Sequence, residues 1–194
     1  VIEKTDSVAS TWRNHYDRLH LHTAKDLSNL PHLEFPKDDP LYVPRENVVS
    51  YMDHYVENFK INPVFNEEVI SIKREKDRWI TTTASNQKWE SENVIIATGF
   101  NRVPNIPSWP DMNKYQGILQ HSKDYKNGKA FKGKNVLVIG MGNTGAELAI
   151  DLYESGANPH ISVRGPVNIV SRDLFGKPTQ HTALQLQKLP DWLS

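Results

Sequence analysis

Gly140-Met141-Gly142-Asn143-Thr144-Gly145 is the stretch of this 194-residue chain whose spacing most directly implies chemistry. Its glycines stand as G-x-G-x-x-G, after the apolar run Asn135–Ile139 and before a helix-forming run. Gly140 permits a tight turn, Gly142 lets the backbone approach a pyrophosphate, and Gly145 lets helix and strand pack closely. Asn143 and Thr144 complete the turn, where a helix start offers free N–H groups and a positive dipole end to phosphate. The bland alternative is a tight α/β turn that holds no ligand.

The strand predicted next ends Ser162-Val163-Arg164, with no acid. An NAD site would place Asp or Glu there on the ribose hydroxyls. A guanidinium would instead bind a 2′-phosphate through paired N–H donors. NADPH is therefore expected, with Arg164 as the main contact and Ser162 or Arg172 as helpers. The alternative is that Arg164 is a solvated surface arginine.

Three further places could serve a nucleotide. Glu3, at the end of an opening strand Val1-Ile2-Glu3, stands where a first dinucleotide fold would put an acid on an adenosine ribose. Ala97-Thr98-Gly99 closes an apolar run with small residues, which allow close approach of a cofactor. His121 could exchange protons near neutrality, but no carboxylate partner stands near it in sequence. A backbone hydrogen bond that shapes a linker is the preferred role for His121.

The elements that must hold these residues follow from periodicity. Residues 5–35 predict an irregular segment with a short helix. Pro36–Pro40 reads as a loop. Pro44 is expected as the first residue of a helix carrying Val48, Val49, Met52, Val56 and Phe59 on one face, stopped by Asn62-Pro63. Val69–Ile72, Trp79–Thr83 and Lys88–Glu90 predict a small antiparallel meander. Asn93–Gly99 reads as a strand buried on both faces, and Pro104, Pro107 and Pro110 as a stiff linker and domain boundary. Asn135–Ile139 predicts a second buried strand. After it comes a helix with Ala146, Ala149, Ile150 and Tyr153 inward and Glu147, Asp151 and Glu154 outward. Ser155-Gly156 should end that helix and Ile161–Val163 begin the next strand, giving a βαβ unit.

Composition excludes several classes. Lysine plus arginine equals aspartate plus glutamate at 23 each, so no basic surplus favours nucleic acid. The chain has no cysteine, which removes thiol catalysis, cysteine-based zinc sites and dithiol exchange. No apolar run is long enough to cross a bilayer and no secretory signal opens the chain, as expected of a cytoplasmic protein. A start at Val1-Ile2-Glu3 without an initiator Met suggests a fragment.

Together these residues resemble the flavin-containing monooxygenases, in the branch of plant YUCCA-type indole-3-pyruvate monooxygenases and their bacterial relatives. The fingerprint F-x-G-x-x-x-H-x-x-x-[YF] runs from Tyr115 through Gly117 and His121 to Tyr125, with Tyr in place of the leading Phe. The second glycine motif matches Gly140, Gly142 and Gly145, and the ATG strand end matches Ala97-Thr98-Gly99. Tyr16-Asp17-Arg18-Leu19-His20-Leu21-His22 is similar to the Y-D-R-L-x-L-H stretch of the YUCCA-like branch. His22 stands where animal-type members carry an Asn assigned to the flavin and its oxygen adduct.

The resemblance implies an α/β fold with two Rossmann-like dinucleotide-binding domains, the first truncated, and a small antiparallel meander. Residues 1–110 would be a partial FAD domain lacking its first βα unit, and residues 111–194 the start of an inserted NADPH domain. FAD would meet Glu3, Lys4, Trp12, His22, Val69, Ala97, Thr98 and Gly99, with Gly117 and His121 in the fingerprint. Gly140, Gly142, Asn143, Thr144, Gly145, Ser162 and Arg164 would hold NADPH, and His22 would be the catalytic group. The implied reaction spends NADPH and O₂ to oxygenate a small organic substrate through a flavin C4a-(hydro)peroxide, the fragment alone being inactive. Because the cofactor carries the hard chemistry, no nucleophile–base pair is required of the protein. Two alternatives stay open: a reductase passing electrons to a carrier, and an NADPH-binding module without activity.

Overall fold

The computed structural model describes residues 1–99 and 103–187. It divides into two compact units, one of Val1–Asn14 with Val49–Asp124, the other of His15–Val48 with Tyr125–Ser194. The stretch from His15 to Val48 thus shares a unit with the glycine turn, a partition different from the division expected from sequence, 1–110 and 111–194. Among the described residues no helix is long and apolar enough to cross a membrane.

In the first unit the opening residues are extended. Ile2 bridges Val64 in parallel, and the Glu3 N–H donates to the Val64 carbonyl at 2.9 Å. The short helix α1 spans Ser10–Arg13, and Arg13 pairs with Asp53 at 2.5 Å. The longer helix α2 spans Arg45–Asn58, its residues through Val48 counted with the second unit and the rest with the first. Pro44 precedes it rather than opening it: its carbonyl accepts the Val48 N–H at 3.0 Å, so it caps the first turn. Its end also departs from expectation. Lys60 takes a left-handed φ of 51°, and the Ile61 N–H reaches back to the Val56 carbonyl at 2.9 Å. That six-to-one closure ends the helix before Asn62-Pro63 acts.

The meander forms as predicted. Strands β1 (Val69–Glu75), β2 (Arg78–Thr83) and β3 (Lys88–Ser91) pair antiparallel in that order. Glu75 faces Arg78 across a two-residue turn in which Lys76 carries a positive φ of 54°, as a tight hairpin demands. Thr81 and Thr83 face inward and are buried.

Asn93–Gly99 overturns its expectation. It is not a strand, and Ile95 and Ile96 are 90% and 72% exposed. A strand buried on both faces needs a sheet to join and a packed layer on each face, and none of the described strands pairs with this run.

In the second unit β4 (Asn135–Ile139) runs parallel to β5 (Asn158–Ser162), joined by α3 (Asn143–Glu154). The helix ends where expected. Gly156 takes φ 84°, its N–H bonds the Tyr153 carbonyl, and the Ala157 N–H bonds that of Leu152, both at 2.9 Å. This double closure needs a left-handed residue, which glycine supplies without strain.

Two expectations shift. β4 is open on one face, with Leu137 and Ile139 exposed, while Val138 on the other face lies against α3 at Gly145. The buried arc of α3 is Leu148, Ala149 and Leu152, while Ile150 and Tyr153 are exposed. That arc lies about 100° round the helix from the one expected. The core of this unit also buries Tyr16, Leu19, Ala24, Phe35, Val43, Val48 and Tyr125. Beyond β5 a tight pair β6 (Asp173–Leu174) and β7 (Lys177–Pro178) leads into α4 (Thr179–Leu186).

Candidate functional site

The turn Gly140–Gly145 has the shape of a phosphate cradle. Gly140 adopts φ 107°, a conformation that side-chain-bearing residues avoid, and its N–H donates to the Ser162 carbonyl at 2.9 Å. A Cβ on Gly145 would lie 2.1 Å from the Gly140 carbonyl oxygen, so the helix packs on its own turn only with glycine there. At Gly142 a Cβ would meet nothing within 4 Å; space is open where a ligand would approach. Gly142 caps α3 and no side chain does, leaving the N–H groups of Asn143, Thr144 and Gly145 directed at that space. The residues present fit a dinucleotide pyrophosphate.

The end of β5 carries the residues expected to complete the site. Ser162 binds the turn through its carbonyl, and Arg164 follows two residues on, exposed to solvent. Arg172 is differently engaged. Its guanidinium lies over the Tyr42 ring at 4.0 Å, and the Tyr42 hydroxyl donates to Asp173 at 2.6 Å.

His22 belongs to the same unit as the turn. It is half-buried, and its carbonyl accepts from Gln180 Nε2 at 2.9 Å. Gln180 Oε1 accepts the Ala24 N–H at 3.1 Å, so one carboxamide of α4 spans the backbone from 22 to 24. Upstream, the main chain at Leu19 and Leu21 bonds that of Arg45 and Val43. Arg18 reaches α3, donating to Glu147 through Nη1 and to Glu154 through Nε and Nη2 at 3.0 and 3.2 Å. Hydrogen bonding to Arg18 holds the Glu154 carboxyl below its usual range. Burial, reinforced by Glu147, pushes the Tyr16 phenol up to about 12.

The remaining expected residues lie in the first unit. The Glu3 carboxylate accepts from the Thr5 N–H and hydroxyl at 2.9 and 2.7 Å. Lys4 is exposed, Trp12 sits on α1, Val69 opens β1, and Ala97, Thr98 and Gly99 are exposed, Gly99 with φ 81°. Gly117 has a local reason: the Tyr115 ring folds over it, and a Cβ would come within 2.3 Å of that phenol. His121 Nδ1 accepts the Lys123 N–H at 3.1 Å, the backbone role preferred from sequence.

Sequence reasoning missed Gln180, the pairing of Arg18, and the Tyr125 hydroxyl bond to Asp151. For Arg18 a signal existed, since Glu147 and Glu154 stand seven residues apart on one helix face. For Gln180 there was none.

A family model described as flavin-binding monooxygenase-like matches residues 3–183. A relative named probable indole-3-pyruvate monooxygenase YUCCA3, from Arabidopsis thaliana, is 36% identical over 210 residues, covering 100% of this chain and 47% of its own length. The chain thus spans about half the length of the curated relatives it matches. Among solved structures, a flavin-containing monooxygenase from Stenotrophomonas maltophilia superposes with TM-score 0.78 at 22% identity, over 84% of this chain and 49% of that one. Cyclohexanone monooxygenase from Rhodococcus sp. Phi1, solved with NADP⁺, gives TM-score 0.68 at 24% identity, over 85% and 33%. Both share the α/β fold expected from the sequence. With the family match running over nearly all its residues, the chain belongs to the flavin-binding monooxygenase-like family.

Proposed function

We propose that the protein acts as an FAD- and NADPH-dependent monooxygenase, with residues 1–110 serving FAD and residues 111–194 serving NADPH. The observation that carries this is the cradle at Gly140–Gly145, open at Gly142 and facing no acid at the end of β5. When bound, NADPH supplies hydride and FAD supplies the oxygen-activating centre.

The chain's own residues bind and orient. N–H groups at Asn143, Thr144 and Gly145 take the pyrophosphate, and Arg164 takes the 2′-phosphate with Ser162 beside it. Glu3 takes a ribose, while Lys4, Trp12, Val69 and Ala97–Gly99 line the flavin side. Gly117 and His121 shape the segment between. His22, its backbone fastened by Gln180, is the residue that would serve as the catalytic group. The substrate is a small 2-oxo acid of the kind named for the relatives, indole-3-pyruvate, with O₂ as co-substrate. The cysteine-free composition supports placing the protein in the cytoplasm.

The test is a steady-state assay of the full-length flavoprotein with NADPH, O₂ and indole-3-pyruvate. Oxygen uptake with stoichiometric decarboxylated product is expected. NADPH oxidation feeding an electron carrier, with no oxygenated product, would contradict it.

A further inference from the structure

We propose that Arg18 is an electrostatic positioning residue for the dinucleotide: while bridging Glu147 and Glu154 it offsets the charge of Glu147, the acid nearer the cradle, and so keeps the phosphate-binding end of α3 electropositive. The inference rests on the assignment of Gly140–Gly145 as a phosphate cradle.

The first turn of α3 contains no acid, and Glu147 is the first that the helix carries. Four residues of rise place it about 6 Å along the axis from Asn143. Helical side chains lean toward the N-terminus, so its carboxylate leans toward the cradle. That side chain is 19% exposed, which limits screening by water. Uncompensated, its charge would oppose the dinucleotide phosphates and offset part of the attraction of the helix start.

Arg18 removes that opposition. One guanidinium donates to Glu147 through Nη1 and to both oxygens of Glu154 through Nε and Nη2. A planar fork with five donors can span two acids seven residues apart. Arg18 lies in the segment that carries His22, and its guanidinium bonds go to Glu147 and Glu154. It therefore acts on the dinucleotide through Glu147 rather than by touching it. A tie that only fastens this segment to α3 would change stability and leave affinity alone.

Calorimetric titration of NADP⁺ into the full protein separates the two. Arg18→Met should weaken binding about fivefold at low salt, with the difference shrinking toward molar salt. Adding Glu147→Gln to Arg18→Met should restore affinity to within about twofold, since both charges are then gone. Arg18→Lys, which keeps the charge with fewer bonds, should bind within about twofold of wild type even if the methionine variant folds poorly. Wild-type affinity in Arg18→Met, or a loss that Glu147→Gln does not reverse, would overturn the role. Wild-type protein that takes up no NADP⁺ at any salt would overturn the cradle assignment, and this inference with it.

Discussion

The side-chain amide of Gln180 donates to the carbonyl of His22 at 2.9 Å, and its oxygen accepts the N–H of Ala24 at 3.1 Å. Ala24 is fully buried; Leu21 and Lys25 on either side donate to the Val43 and Leu41 carbonyls, and this amide serves the backbone groups between them. Gln180→Leu would leave two backbone groups unsatisfied, at a cost of about 1–3 kcal/mol. Thermal unfolding should register that loss. Hydrogen exchange at Ala24 should quicken while the amides of α3 keep their protection.

Gly142 and Gly145 should separate binding from folding. Gly142→Ala meets open space and an ordinary φ of −84°, so the variant should keep wild-type Tm. It should nonetheless lose NADP⁺ affinity by about tenfold or more, because the methyl occupies the approach of the pyrophosphate. Gly145→Ala collides with the Gly140 carbonyl and should lower both Tm and affinity. Paired melting and binding curves check the contrast, and a Gly142→Ala variant with normal affinity would place the ligand elsewhere.

How much of this was legible in the sequence follows from how local each feature is. The meander, the glycine turn and the Gly156 helix end were readable because two-residue alternation, glycine spacing and capping chemistry act within a few residues. The run Asn93–Gly99 looks like a strand but is exposed, because strand formation depends on partners that residue pattern does not reveal. On α3, apolar residues occupy two adjoining arcs, and the sequence could not say which one meets a core. The acids expected to be solvated instead bond Arg18 and Tyr125. Contacts between residues more than a hundred positions apart, such as Gln180 with His22, leave no trace in periodicity.

Tyr125 is buried with its phenol donating to Asp151 and its ring stacked on Phe131 at 6.0 Å. Burial first, then Asp151, pushes its pKa above the ordinary tyrosine range. The folded value lies above the unfolded one, so the contribution to stability is present below about pH 10 and is lost as pH rises through the folded value. Tyr125→Phe should cost about 1–2 kcal/mol and lower Tm by about 3–6 °C. Ultraviolet titration should show one tyrosine fewer ionising late in the variant than in wild type.

Acid should weaken the second unit in two steps. Burial, then Lys126 and Arg45, depresses the pKa of His15, so its contribution is present above about pH 6.5 and falls as pH drops from there through the lower folded value. Glu154 is depressed by its bond to Arg18. Its contribution is present above about pH 4.5 and falls as pH drops through its folded value. In denaturant melts, Glu154→Gln should flatten the slope of stability against pH in the lower window and leave the upper one unchanged.

Titration of NADP⁺ and NAD⁺ against wild type and Arg164→Ala bears most directly on the central assignment. A guanidinium at the end of β5 that holds a 2′-phosphate predicts a loss of about tenfold or more for NADP⁺ and little change for NAD⁺. Equal losses for the two nucleotides, or none for either, would contradict it.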